Sequence, residues 1–268
     1  MKRRWFRWIK IFIIVYCVIG IALYYVQDNF ILHPTSLPVD YTFSFDTPFE
    51  EAKIPFNATD TLSFIKFFPP APLPTKGLVL YFHGNQQNVL RYAKYASLFT
   101  QQGYQVWMPD YPGFGKSTGD FTERKLYEQA FQLKRMASNF FKDSQIVVYG
   151  KSLGTGVASF LASNGTYKAL VLETPYSSIP DLFSCYAFMY PTSYMSHFKF
   201  PVKDFLPDVL SPVIVFHGNE DGVIPYRCAS TLQPILKSGD RFITIEGGSH
   251  NNLTEYPLYK ETMKGLLH

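Results

Sequence analysis

The longest apolar run of the chain lies near its N-terminus. Residues 11–26 carry no charged side chain, and the apolar residues within 5–9 extend the run to the roughly 20 residues that span a bilayer. Basic side chains precede the run and aromatic ones flank it, which is typical of a single membrane anchor with a cytoplasmic N-terminus. We predict an anchor at residues 1–27, with the catalytic part of the chain on the far side of the membrane. A cleaved signal peptide, giving a secreted protein, is the alternative.

Beyond residue 48, short apolar runs alternate with amphipathic stretches. The run at 77–82 is apolar throughout, as expected of a strand buried on both faces. The predicted strands cover residues 52–56, 61–68, 77–82, 104–108, 145–149, 169–172, 212–216 and 241–245. The predicted helices cover residues 89–102, 123–141, about 154–163, 226–237 and the end of the chain from about 253. Repeated strand–helix units predict an α/β fold, in which a mostly parallel, twisted sheet carries helices on both faces.

Length and charge limit the possible classes of protein. The chain has 268 residues, enough for one large α/β domain, which we place at residues 28–268 behind the anchor. Five of its 25 basic residues lie within residues 1–26, and the 20 basic and 21 acidic residues of the remainder nearly balance. Such a balance does not indicate a nucleic-acid-binding surface, and the pattern carries no signal for an oligomeric state.

The cysteines do not indicate a metal site. Cys17, Cys185 and Cys228 lack the spacing of metal ligands, and no cofactor motif is visible, so we predict neither a metal nor a cofactor. Cys185 and Cys228 could form a disulfide in an oxidising compartment. We favour two separate buried thiols instead.

A Gly-x-Ser-x-Gly pentapeptide follows the strand predicted at residues 145–149, with its glycines at positions 150 and 154. A serine that attacks a carbonyl carbon must stand on a sharp strand-to-helix turn, and the residues two before and two after it must be small for that turn to close. The small residues that follow begin a helix whose N-terminal amides point back toward the serine. We therefore predict that Ser152 is a catalytic nucleophile.

A serine hydroxyl needs a base, and the base needs a group that orients it. Two loops at predicted strand ends supply both, with Asp221 in one loop and His250 in the other. Asp221 would accept a hydrogen bond from one imidazole nitrogen of His250 and leave the other free to take the serine proton. Glu220 is a weaker candidate for the acid, because Asp221 stands just before the turn into the next helix.

The loop His83-Gly84-Asn85 follows the strand predicted at residues 77–82. The negative charge that develops on a carbonyl oxygen under attack needs two N–H donors aimed at it. We predict that the backbone amides of Leu153 and Asn85 supply them. His83 precedes this position and is interpreted as a structural residue that holds the loop.

Several of these segments together resemble one known family. They are His83-Gly84-Asn85, Asp110-Tyr111-Pro112-Gly113-Phe114-Gly115-Lys116-Ser117, Gly150-Lys151-Ser152-Leu153-Gly154, Asn219-Glu220-Asp221 and Ser249-His250-Asn251. In this order they resemble the serine-hydrolase branch of the α/β-hydrolase superfamily, and especially its small, single-pass membrane-anchored esterase and thioesterase members. The resemblance covers about residues 50–268 and implies an α/β-hydrolase fold. The branch includes esterases, lipases, protein-depalmitoylating thioesterases and some peptidases.

A segment rich in aromatic side chains and methionine, at about residues 177–207, lies where α/β hydrolases carry a lid. One interpretation is a short lid that forms the wall of a pocket for an acyl chain. The other is a helical pair packed on the core. An apolar pocket near a membrane would suit a lipid-like acyl substrate, while small soluble esters fit the motifs equally well.

These patterns lead to one functional hypothesis and two alternatives. The leading hypothesis is a membrane-anchored serine hydrolase that cleaves ester or thioester bonds through an acyl-enzyme on Ser152. A peptidase or amidase of the same fold could use the same three side chains. A non-catalytic membrane scaffold would retain the fold without needing them.

Overall fold

The computed structural model describes residues 2–268, and an eight-stranded sheet forms its centre. The strands are β1 (Phe49–Pro55), β2 (Thr61–Phe67), β3 (Gly77–Phe82), β4 (Tyr104–Pro109), β5 (Ile146–Lys151), β6 (Ala169–Glu173), β7 (Val213–Gly218) and β8 (Arg241–Ile245). Their spatial order is β1-β2-β4-β3-β5-β6-β7-β8. Strand β2 runs antiparallel to both of its neighbours, and every other pair is parallel. The predicted mostly parallel sheet is therefore confirmed.

Ten α-helices occur in the described part of the chain. They are α1 (Lys2–Ile31), α2 (Val89–Tyr92), α3 (Ser97–Thr100), α4 (Glu123–Ala137), α5 (Gly154–Ser163), α6 (Ile179–Tyr186), α7 (Thr192–Met195), α8 (Val202–Phe205), α9 (Tyr226–Ala229) and α10 (Pro257–Leu267). The continuous helices predicted at residues 89–102 and 226–237 are wrong, since each is broken into short helical pieces. In the second of them Pro234 lies within a 3₁₀ helix, Ser230–Ile235, because proline cannot donate the hydrogen bond that continues an α-helix.

The sheet is buried on both faces, as the pattern at residues 77–82 predicts. Leu78 and Leu80 of β3 belong to one hydrophobic core, and Val79 and Tyr81 belong to the other. Helices α4 and α5 contribute side chains to the first core, and α10 contributes to the second. Each fully buried aliphatic side chain stabilises the fold by about 1.5–3 kcal/mol, so the two cores hold the parallel strands in register.

Helix α1 is long and apolar enough to cross a membrane, by length and composition. Its candidate span is Arg4–Ile31, and most of its apolar side chains are exposed, as with Trp8 at 63% and Phe12 at 61%. The helix continues past residue 27, where the prediction ended the anchor. One face of its last turns packs against the rest of the protein, since Gln27 and Ile31 are buried, while Phe30 on the same turn is 65% exposed.

Residues 177–207, the predicted lid, contain α6, α7 and α8. Phe198 and Phe200, between α7 and α8, belong to the same hydrophobic core as helices α4 and α5. Phe188 and Tyr194 are 81% and 89% exposed. They lie in the stretch between α6 and the end of α7, where the carbonyl oxygen of Met189 accepts a hydrogen bond from Tyr16 of α1.

A disulfide joins Cys185 of α6 to Cys228 of α9, so the prediction of two separate thiols is wrong. Their Cα atoms are 6.5 Å apart, which is within the range that a disulfide bridges. The residues are 43 positions apart in the chain, and only the packing of α6 against α9 brings them together. The bond ties the lid to the segment that follows Asp221.

Candidate active site

Ser152 stands on a tight turn between β5 and α5. Its φ of +51° is in the left-handed region, which a residue with a side chain adopts only under strain. A Cβ atom at Gly154 would lie 2.1 Å from the carbonyl oxygen of Phe82, and one at Gly150 would lie 2.6 Å from the carbonyl oxygen of Gly154. Positions 150 and 154 must therefore both be glycine, as the spacing of the pentapeptide predicts.

Ser152, His250 and Asp221 form one chain of hydrogen bonds. His250 Nε2 is 3.1 Å from Ser152 Oγ, and His250 Nδ1 is 2.8 Å from Asp221 Oδ2. A carboxylate only accepts hydrogen bonds, so Nδ1 donates to Asp221 and Nε2 is free to accept the serine proton. The structure thus brings together three side chains that are up to 98 positions apart.

The Asp221 carboxylate is held in its charged form. Burial by itself raises its pKa, but the hydrogen bond and positive charge of His250 and the Ile224 amide outweigh burial, and the net pKa lies below the ordinary aspartate value. Its Oδ1 accepts hydrogen bonds from the amides of Val223 and Ile224, both at 2.8 Å. Glu220, the weaker candidate, is exposed and is not the acid that His250 contacts.

A second histidine, His217, lies beside the same carboxylate. Its Nε2 donates to the carbonyl oxygen of Ile224 at 2.9 Å and lies 3.7 Å from Asp221 Oδ2. Burial lowers the pKa of His217, although the charge of Asp221 partly opposes this. A neutral His217 packs behind Asp221 and leaves its Oδ2 to His250.

The two predicted oxyanion donors both line a cavity next to Ser152. Within the described chain, neither the Leu153 amide nor the Asn85 amide donates to another backbone carbonyl. The Asn85 side chain is not free, because its amide nitrogen donates to the carbonyl oxygen of Ile31 at 2.6 Å. The end of α1 therefore holds this loop in place, which the sequence did not indicate.

His83 is fully buried beneath the same loop. Its Nδ1 lies 2.7 Å from the carbonyl oxygen of Gly84, and its Nε2 lies 3.3 Å from Asp110 Oδ1. Asp110 also accepts a hydrogen bond from the Val89 amide at 2.7 Å. His83 thus contacts the loop that carries Asn85 from below and does not reach Ser152 by any hydrogen bond in the described chain.

A cavity of about 520 Å³ opens beside Ser152. Most of its wall is apolar, and four parts of the chain contribute: the end of α1, the serine and Asn85 loops, the lid, and the segment after Asp221. Its lining residues include Leu23, Phe30, Ile179, Leu182, Phe183 and Val223. The space and its apolar wall suit a hydrocarbon chain that ends near Ser152.

Comparisons with known proteins identify similar sequences and structures. A family model described as serine aminopeptidase, S33, matches residues 74–203. The alpha/beta hydrolase domain-containing protein 17C of Xenopus tropicalis is 30% identical over 203 residues, which are 69% of this chain and 60% of that protein. The human alpha/beta hydrolase domain-containing protein 17B is 28% identical over 205 residues, 70% of this chain and 65% of that protein.

The chain belongs to the α/β-hydrolase superfamily. Two solved structures have the same fold as this chain. Est1E from Butyrivibrio proteoclasticus, bound to ferulic acid, has a TM-score of 0.63 at 19% identity and covers 81% of this chain and 96% of its own. The Pyrococcus furiosus esterase Pf2001 has a TM-score of 0.65 at 16% identity and covers 88% and 97%. The chain spans about 60–65% of the length of the curated relatives named above.

A buried ion pair lies next to Ser152, at the ends of strands β5 and β6. Lys151 Nζ is 2.5 Å from Glu173 Oε1, and the two side chains are 2% and 1% exposed. Lys151 Nζ also donates to the backbone carbonyl oxygen of His250 at 3.1 Å. The second oxygen of Glu173 accepts a hydrogen bond from Tyr149, whose hydroxyl is 2.7 Å from that of Tyr259.

Sequence reasoning assigned no role to Lys151 or Glu173. The available signal was their position, because each is a charged residue at the end of an apolar, buried strand, where lysine and glutamate are rarely found unless paired. The pair fixes the backbone of His250 relative to the turn that carries Ser152. Neither side chain is among the residues that line the cavity, so the contact of this pair with the site is through the backbone of His250.

Replacement of Lys151 should destabilise the protein strongly. The Lys151→Met variant leaves the Glu173 carboxylate buried without its partner, which costs about 3–5 kcal/mol of unfolding free energy. The double variant Lys151→Met/Glu173→Gln should recover most of that loss, as measured by urea denaturation. Lys203→Met, which removes an exposed ion pair with Asp181, should cost no more than about 1 kcal/mol. A single variant as stable as the double one would contradict this account.

The stability of the protein should also depend on pH through His217. Its pKa in the folded state lies below the ordinary value of 6.5, so in the unfolded state it binds a proton more readily. Unfolding free energy should therefore fall as the pH drops from about 6.5 toward the folded-state pKa. The variant His217→Gln, which retains a donor for Ile224, should lose less stability over this interval. The lowered pKa of Asp221 does not change the unfolding free energy over this interval, because its effect sets in only below about the ordinary aspartate value of 3.8. Equal slopes for both proteins in urea denaturation between pH 5 and pH 7, about the interval in which histidines titrate, would contradict the prediction.

Proposed function

We propose that this chain is a membrane-anchored serine hydrolase that cleaves ester or thioester bonds of acyl substrates. The observation that carries the proposal is the hydrogen-bond chain from Asp221 through His250 to Ser152, which ends at an apolar cavity. A nucleophile, a base and an orienting acid in this geometry have the roles required for acyl transfer.

The proposed reaction proceeds in two halves. Ser152 Oγ attacks the carbonyl carbon while His250 Nε2 takes its proton, and the imidazolium that forms is stabilised by Asp221. The amides of Leu153 and Asn85 donate to the oxyanion. His250 then gives the proton to the departing alcohol or thiol, which leaves the acyl group on Ser152. A water molecule, deprotonated by His250, attacks the acyl-enzyme and releases the carboxylic acid and the free serine.

The description of the matching family model favours one second candidate, an aminopeptidase. Such an enzyme must bind the positively charged amino group of its substrate, which calls for a carboxylate at the site. None of the described residues that line the cavity is acidic, and the nearby Asp221 already pairs with His250. The apolar wall therefore favours an acyl chain over a peptide N-terminus.

Two features support a location of the hydrolase domain on the far side of the membrane. Basic residues cluster before the apolar part of α1, and by the positive-inside rule this pattern favours a cytoplasmic N-terminus. The Cys185–Cys228 disulfide persists in oxidising compartments and is rare in the cytosol. An uncleaved α1 connects the cytoplasmic N-terminus to the hydrolase domain across the membrane. Its contacts with the lid support its retention, because a signal peptide is removed from the mature protein.

Chemical labelling tests the catalytic proposal on the full-length protein. A fluorophosphonate probe should label the wild type but not Ser152→Ala, while Ser163→Ala at the end of α5 should label normally. Asp221→Asn should lower kcat for an acyl ester on the order of 10⁴-fold, because an amide no longer stabilises the imidazolium. Glu220→Gln, the adjacent exposed carboxylate, should retain activity. Folded wild-type protein that is not labelled would favour the non-catalytic scaffold.

The state of the cysteines tests the topology. Protein isolated from membranes, with free thiols alkylated at lysis, should yield a peptide pair joined through Cys185 and Cys228 and an alkylated Cys17. The oxidising compartment preserves the disulfide, whereas cytosolic thiols are kept reduced. Alkylation of all three cysteines, read by mass spectrometry, would place the domain in the cytosol and contradict the topology.

A further inference from the structure

The anchor helix forms one wall of the cavity at Ser152. Its last turns contribute several of the lining side chains, which are Leu23, Tyr24, Gln27, Phe30 and Ile31. The opposite wall belongs to the lid, mainly to α6 and α7. Because Ile31 also binds the side chain of Asn85 through its carbonyl oxygen, the helix reaches the predicted oxyanion loop itself.

An apolar groove continues from this cavity along α1 toward the N-terminus. Its floor is Tyr16, Cys17, Gly20 and Ile21, and its lid side is Tyr190, Pro191 and Met195. The cavity and the groove share Tyr24, Tyr190 and Met195 in their walls. The two spaces therefore adjoin at these three side chains, between Ser152 and the middle of the anchor helix.

Specific contacts hold the lid against α1 at both ends of this groove. Near the middle of the helix, the Tyr16 hydroxyl donates to the Met189 carbonyl oxygen at 2.7 Å, and the rings of Tyr16 and Tyr190 stack with centroids 4.6 Å apart. Near its end, Gln27 donates to the Met195 carbonyl oxygen at 3.0 Å and accepts from the His197 amide at 2.8 Å. The groove is thus a built feature of the fold.

The length of α1 places this groove within the bilayer. From Arg4, where the candidate span begins, to Tyr16, where the lid first contacts the helix, α1 extends only about 18 Å at 1.5 Å per residue. A hydrocarbon core is about 30 Å thick, so an α1 that spans it brings the lid contact at Tyr16 into the apolar layer. The exposed side chains of Phe188 and Met189 next to this contact are apolar, as immersion in lipid requires.

We propose that the acyl chain of a bilayer-resident substrate reaches Ser152 sideways, along the groove between α1 and the lid, so that the anchor is itself part of the acyl-binding site. This inference rests on the proposed hydrolase function. The substrate is a long-chain acyl ester or thioester whose chain lies in the membrane and whose carbonyl group lies at the membrane surface. A substrate of this kind never has to expose its chain to water on the way to the serine.

A chain-length comparison with the full-length protein in lipid vesicles tests the role of α1. In Leu23→Trp the larger ring fills part of the cavity, so the ratio of kcat/KM for a palmitoyl ester to that for a butyryl ester should fall roughly tenfold, since a single methylene in an apolar pocket is worth 10-fold or more. Val26→Trp, at a similar depth on an exposed part of the helix that lines neither cavity nor groove, should keep the wild-type ratio. An unchanged ratio in Leu23→Trp would overturn the inference.

Two palmitoyl substrates in the same vesicles, an S-palmitoyl peptide and a palmitoyl glycerol, distinguish whether the acyl chain comes from an acylated protein or from a lipid. Leu23→Trp should lower kcat/KM for both relative to Val26→Trp, because they share the chain. The substrate with the higher wild-type kcat/KM then identifies the preferred head group. A loss in Leu23→Trp that matched the loss in Val26→Trp for both substrates would overturn the inference.

A photochemical experiment on the wild type follows the path directly and does not depend on a variant that folds. An alkyl fluorophosphonate with a diazirine at the end of its long chain reacts at Ser152 and is then irradiated in vesicles. Crosslinked peptides should come from residues 16–31 and from the lid. Crosslinks that avoid residues 16–31 would overturn the inference while leaving the serine hydrolase intact. Absence of any reaction at Ser152 would instead overturn the proposed function, and the inference with it.

Discussion

The close approach of two backbone segments at Gly154 is the constraint on which the rest of the site depends. At this glycine the first turn of α5 passes so near the end of β3 that a single added carbon would collide with the Phe82 carbonyl oxygen. The same turn holds Ser152 at a positive φ, two residues before this contact, as the turn between a strand and a catalytic helix requires. It also sets the amide of Leu153 beside the loop that carries Asn85, because that loop is the direct continuation of β3.

A buried ion pair lies next to the strained turn that carries Ser152. Lys151 and Glu173 pair at the ends of adjacent parallel strands, one residue before the serine and across from it. A buried pair of this kind adds little net stability by itself, but removal of either partner is costly. Its use here is geometric, because the hydrogen bond from Lys151 to the backbone of His250 couples the histidine loop to the serine turn. Parallel strands make this possible, since their carboxyl ends meet at one edge of the sheet.

Helix α1 combines two roles that are usually separate. Most of its surface is apolar and exposed, as a membrane-spanning helix requires, while one face of its last turns packs against the lid and the Asn85 loop. Buried polar contacts such as those of Gln27 specify the orientation of the helix, because an amide buried at that point is stable only with its partners in place. In the proposed membrane-anchored enzyme, the position of the membrane relative to Ser152 is consequently set by the fold of one chain.

The sequence by itself determined the class of fold and predicted that Ser152, Asp221 and His250 meet. Strand runs such as residues 77–82 are readable because burial on both faces demands continuous apolar side chains, and Gly-x-Ser-x-Gly is readable because a sharp turn admits only glycine at two positions. The breaks in the helical segments after β3 and β7 could not be read from the sequence. Tertiary packing decides where such a segment breaks, and the periodicity of apolar residues carries no information about that packing.

Only the tertiary structure decided which distant residues meet. Cys185 and Cys228 pair, Lys151 finds Glu173, and the last turn of α1 becomes a wall of the cavity, although each of these partners lies far from the other along the chain. Periodicity and motifs report the environment of a residue but not the identity of the neighbour that supplies it. Burial could therefore be read from the pattern of side chains, whereas pairing depends on how the whole sheet and lid close around the serine.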